Sequence, residues 1–123
     1  KGDIIISIAG QKLKDVKALK MPFYNHNGIS SHHIFPVLLA KGINRLKVMQ
    51  YLKKKGIQAS IHYPAVHLFD FYRKNFKYSE GALPLNEDVA TREVTLPLYP
   101  SMEDRDVAYI CNVTVDFLRN KKG

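Results

Sequence analysis

The run Asn44-Arg45-Leu46-Lys47-Val48-Met49-Gln50-Tyr51-Leu52-Lys53-Lys54-Lys55-Gly56-Ile57-Gln58-Ala59-Ser60-Ile61-His62 changes its hydrophobic period halfway along. Asn44 is a good helix N-cap, because its short side chain can accept from an unpaired amide of the first turn. Leu46, Met49 and Leu52 then recur at helical spacing with Val48 alongside, which predicts a helix over Arg45–Lys55. The lysines at its end suit the negative pole of the helix, and Gly56 suits the position just beyond. After the glycine the period drops to two. Ile57, Ala59 and Ile61 share one face of a predicted strand; Gln58, Ser60 and His62 share the other. His62 therefore projects from the polar face, near the strand end.

Outward from this core the elements continue in alternation. Ile34 to Ala40 is a compact apolar run and predicts a buried strand. Pro36 cannot donate to a ladder, so it calls for an edge position or a bulge. Asp3 to Ile8 is rich in β-branched residues and reads as a strand, although it does not alternate. Residues 11 to 31 read mostly as irregular. Leu68 to Phe76 predicts a short helix, and residues 82 to 85 an extended segment. Asn86 then caps a second short helix, with Glu87 and Asp88 in its first turn. Val94 to Tyr99 reads as a strand interrupted by Pro97. Ser101, with Asp104 three residues on, opens a closing helix that runs to about Leu118. Val107, Ile110, Cys111, Phe117 and Leu118 form its buried stripe, which makes Cys111 a core residue. The order is strand, helix, strand, helix, helix, strand, helix. It implies an α/β (α+β layered) domain, a small sheet with helices packed on it.

At 123 residues the chain suffices for one domain with one modest core. Its net charge of +8 is uneven. No Asp or Glu occurs from Val16 to Phe69, where eight Lys and Arg fall, whereas residues 70 to 123 carry nine acids and eight bases. Such a basic segment suits an anion such as phosphate. The run Lys53-Lys54-Lys55 reads as a solvated helix face, and the aromatics near it form no RNA-binding signature. The single cysteine excludes an intrachain disulfide and a multi-cysteine zinc site, and fits a reducing, cytoplasmic setting. The opening residues show no charged-apolar-small signal-peptide pattern, and no apolar run approaches membrane-spanning length.

All five histidines (His26, His32, His33, His62, His67) lie between Ala18 and Leu68. In His62-Tyr63-Pro64-Ala65-Val66-His67, proline stiffens a turn that carries two imidazoles and a phenol. The two histidines are five apart and share no helix face, and no carboxylate lies near them in sequence, which argues against a metal pair. His62 and His67 either hydrogen-bond a ligand oxygen or cap a turn. Tyr63 either presents its hydroxyl or buries its ring. His33 stands at the start of its strand and is either structural or ligand-binding. A first-turn arginine such as Arg45 opposes the helix dipole and calls for a specific partner.

Taken in order, Ser30-Ser31-His32-His33-Ile34-Phe35, Arg45, Gly56-Ile57, His62-Tyr63-Pro64 with His67, Leu83-Pro84, Leu96-Pro97-Leu98-Tyr99-Pro100 and Asp106 resemble the C-terminal part of sugar-nucleotide aminotransferases of the DegT/DnrJ/StrS type. The likeness divides the chain into a poorly matched segment, residues 1–29, and a small domain, residues 30–123. It implies the small C-terminal domain of the aspartate-aminotransferase fold. It also implies a dimeric, pyridoxal-phosphate-dependent enzyme acting on a keto sugar attached to a nucleotide. His62, Tyr63, His67 and His33 are the substrate-binding candidates. The family's cofactor lysine belongs to a large domain and a serine-rich context that nothing here resembles. The chain is therefore expected to bind no cofactor and not to transaminate alone. The alternatives are a non-catalytic module that binds a sugar nucleotide or a partner, and a basic nucleic-acid-binding domain.

Overall fold

A computed structural model describes residues 2–22, 24–25 and 27–120; His26 lies outside them. Helix α1 (Gly2–Leu13) leads to a short strand β1 (Leu19–Lys20) and the longer β2 (Phe35–Leu39). Helix α2 (Arg45–Lys54) follows, then a 3₁₀ turn (Val66–Leu68), α3 (Asp70–Phe76), α4 (Pro84–Arg92), β3 (Glu93–Leu96) and α5 (Asp104–Arg119). The three strands form one antiparallel sheet in the order β1-β2-β3. Phe35, Val37 and Leu39 of β2 and Val94 and Leu96 of β3 join Val48 and Leu52 of α2 in one core with the apolar stripe of α5.

The α2 signals act as read. Asn44 accepts from the Lys47 amide at 3.1 Å, and Gly56 adopts a left-handed φ of 76° that only glycine takes without strain. Val48 and Leu52 are buried while Leu46 is exposed, so the buried stripe is rotated away from Leu46. Arg45 finds its partner: its guanidinium donates to the carbonyls of Ala90 and Glu93, at the end of α4. The guanidinium thus reaches away from the positive pole of α2 to the negative pole of α4, where a cation is favourable.

Pro36 sits in the middle strand. It pairs with Thr95, whose amide and carbonyl both bond to Ser60 on the other side. The missing proline donor therefore faces away from β3, toward the side where β1 reaches only Leu38 and Leu39. At Pro36 that side is an open edge, which is what a proline requires.

Four expectations are corrected. Residues 3 to 8 are helical, not a strand: Ile5, Ala9 and Leu13 recur every four residues and are buried in the shared core, with α1 packed on α5. The period appears only over a window longer than six residues, and burial outweighs the strand preference of four isoleucines. Residues 57 to 62 form one bridge, Ser60 with Thr95, rather than a strand. Two residues on, the His62 amide donates to the Glu93 carboxylate at 2.9 Å instead of to a ladder carbonyl, which ends the pairing. Helix α4 starts at Pro84, before Asn86, because the Glu87 carboxylate accepts from the amides of Gly81 and Leu83 and Pro84 needs no acceptor there. Helix α5 is capped by Glu103 in a reciprocal box with Asp106, two residues after Ser101 and Asp104. Met102, buried between the two candidate caps, holds the chain in a turn that delays the helix.

Candidate functional site

His62 lies beside β3, and three polar side chains meet there. The Thr95 hydroxyl donates to one oxygen of Glu93. Its oxygen lies 2.9 Å from His62 Nδ1, and Ser60 Oγ lies 3.4 Å from the same nitrogen. The other Glu93 oxygen accepts the His62 amide. Glu93 and Thr95 are both buried, whereas His62 is half-buried, so the cluster runs from the interior to the surface. Tyr63 is 65% exposed and packs edge-on against the His62 ring at 5.0 Å. Its phenol is free to meet a ligand or a neighbouring surface.

His67 is differently placed. It is buried, its Nε2 lies 3.0 Å from a Glu87 oxygen, and its ring meets Tyr78 edge-on. Glu87 also takes the Gly81 and Leu83 amides, so His67 anchors the loop that opens α4. The Gly81 amide, then the His67 ring and the Leu83 amide, hold the Glu87 carboxyl below the usual carboxylate range. A lowered folded value means that the contribution to stability is fully present above the ordinary pKa and is lost as pH falls through the folded one. Glu87→Gln should thus narrow its melting-temperature deficit against wild type as the medium is acidified below about pH 4. An unchanged deficit from neutral pH down to strong acid would show that Glu87 is not the group concerned.

His33 is exposed and lines two adjoining clefts of about 550 and 690 Å³ with Ser31, His32 and Asp3. The His32 ring pairs with the Asp3 carboxylate across that cleft. His33 precedes the end of β2 that pairs with Leu96, whereas His62 is held at Glu93, the other end of β3. Their backbones are offset by roughly 10 Å or more along the strands. The fold brings together His62 and Tyr63, turns His67 inward to Glu87, and sets His33 apart.

Glu93 and Thr95 escaped the sequence reading. The acid lies 31 residues from the histidine that it serves, directly before the segment that reads as a strand from Val94. The signal that could have found them is the alternation of Glu93 and Thr95 with apolar Val94 and Leu96, since a buried carboxylate needs donors.

Among the described residues no group of three His, Cys, Asp or Glu could hold a metal ion, and no helix is long and apolar enough to cross a membrane. Every described lysine is exposed, so none sits in the desolvated pocket that an imine-forming amine needs. Cys111 is buried, and burial pushes its thiol up to about 11, which removes it from nucleophilic chemistry. An aromatic face remains uncovered: Phe71 and Phe76 on α3 are 63% and 60% exposed, and their rings meet each other and that of Tyr72.

The profile of the DegT/DnrJ/EryC1/StrS aminotransferase family matches residues 3–115. An uncharacterised protein of Methanocaldococcus jannaschii is 36% identical over 111 residues, 88% of this chain and 29% of its own length. The structure of Helicobacter pylori PseC, an aminotransferase involved in the biosynthesis of pseudoaminic acid, superposes with a TM-score of 0.87 at 21% identity, covering 97% of this chain and 32% of PseC. DesI, solved in the presence of its TDP-sugar product, gives 0.83 at 21% identity, covering 95% and 30%. The chain thus spans about three-tenths of the length of each of these proteins.

Proposed function

This chain belongs to the DegT/DnrJ/EryC1/StrS aminotransferase family, and we propose that it is the small C-terminal domain of an enzyme that transfers an amino group to a nucleotide-linked keto sugar. The observation that carries this reading is the coverage: nearly the whole chain matches the family, yet it spans only about three-tenths of its relatives. A sugar nucleotide as substrate is supported by the TDP-sugar product of DesI. Pyridoxal phosphate supplies the electron sink for amino transfer when bound. The described residues do not fit it, because their lysines are all solvated. The lysine that holds it belongs to a large domain outside this chain.

The residues here serve the substrate side. His62 and Tyr63 face the sugar nucleotide, His67 braces the adjoining loop through Glu87, and His33 faces a separate cleft. The exposed α3 aromatics meet the large domain or its dimer mate, since such a patch is costly to leave in water.

The test compares the complete polypeptide that carries this chain with the chain alone. With pyridoxal phosphate and glutamate, the complete polypeptide should aminate a keto sugar nucleotide and the chain should not. Turnover by the chain alone, with one stoichiometric lysine adduct after borohydride, would overturn the reading. So would a complete polypeptide that binds the cofactor but aminates no nucleotide-linked sugar.

A further inference from the structure

We infer that Glu93 and Thr95 are positioning residues that lock His62 as its Nδ1–H tautomer, so that Nε2 accepts a hydroxyl of the sugar and not a phosphate oxygen. The ligand half of this inference rests on the sugar-aminotransferase reading; the tautomer half does not.

A threonine hydroxyl has one proton. Here that proton goes to Glu93, so at His62 the Thr95 oxygen can only accept. The hydrogen on the His62 ring must then be on Nδ1, 2.9 Å away. A neutral imidazole carries a single N–H, which makes Nε2 a lone-pair acceptor. Nε2 has no hydrogen-bond partner among the described residues. The arrangement is closed at both ends, because the second Glu93 oxygen takes the His62 amide at 2.9 Å. Backbone and ring of one histidine are thus held by one carboxylate, directly and through one hydroxyl. Burial of Glu93 and Thr95 keeps water from replacing either bond.

The tautomer decides the ligand group. Phosphate oxygens are acceptors and would face a lone pair at Nε2, with a carboxylate behind it. A sugar hydroxyl is a donor and completes the chain: hydroxyl to Nε2, Nδ1–H to Thr95, Thr95 to Glu93.

The test uses the complete polypeptide labelled with ¹⁵N-histidine at pH 8. The His62 ring signals are assigned by their loss in His62→Gln. The expected result is protonated Nδ1 with unprotonated Nε2. In Thr95→Val and Glu93→Gln this preference should be lost, and Thr95→Ser should restore it. In Thr95→Val and Glu93→Gln, but not Thr95→Ser, KM for the keto sugar nucleotide should rise about fivefold, the effect of one neutral hydrogen bond. The glutamate half-reaction should be unchanged, which a general loss of folding would not allow. Inorganic pyrophosphate should leave the His62 signals unmoved.

A wild-type Nε2–H tautomer, or one indifferent to Thr95→Val, would overturn the relay. A doubly protonated His62 on adding pyrophosphate would overturn the sugar-hydroxyl assignment. If the tautomer is as stated but no sugar half-reaction exists, the functional reading fails and the relay stands. If the half-reaction exists and the tautomer differs, the relay alone fails.

Discussion

Leu13→Ala should lower the melting temperature of the chain by roughly 10 °C. Leu13 is 1% exposed, in the core that α1 shares with α5 and β2. Truncating a buried leucine costs about 2–5 kcal/mol, the lost transfer energy plus the cavity that remains. For a domain of this size each kcal/mol moves the midpoint by roughly 4 °C. Lys12→Ala, one residue earlier on the exposed face, is the control and should stay within about 0.5 kcal/mol of wild type. Scanning calorimetry of both variants decides the matter. Equal, small shifts would mean that α1 does not belong to the core.

Ser7→Pro should be as damaging for a different reason. Ser7 is exposed, so its side chain contributes little packing, but it lies in the interior of α1. Proline there removes an amide donor and clashes with the preceding turn, at about 3 kcal/mol or more. Ser7→Ala should instead stabilise slightly, by up to about 0.5 kcal/mol, because alanine is the better helix former. The pair separates helix from strand, since alanine is the poorer residue in a strand. Urea midpoints that fall for alanine, or that barely move for proline, would contradict a helix at residues 2 to 13.

Those two variants probe the element that the sequence hid most completely. Asp3-Ile4-Ile5-Ile6-Ser7-Ile8 favours a strand locally, and only its burial against α5 makes the four-residue spacing of Ile5, Ala9 and Leu13 count. The 57–62 segment fails in the opposite sense. Its alternation is sound, yet after one bridge a carboxylate takes the amide that a strand would have taken. Legible signals acted within a few residues of themselves: Asn44 on Lys47, Gly56 after α2, the apolar run at β2.

The same division runs through the site. Sequence alone determined that His62 leaves a polar face next to a proline-stiffened turn, and that the order of motifs from Ser30 to Asp106 resembles one aminotransferase family. Local periodicity and spacing carry that much, because capping, turns and face alternation are short-range properties of the backbone. Tertiary structure decided which histidine faces outward. His67 is turned in by an acid 20 residues away, and His62 is held by an acid and a hydroxyl 31 and 33 residues away. Such partners meet only after β3 has paired with β2 and α4 has been set by Arg45, so no window along the chain contains them.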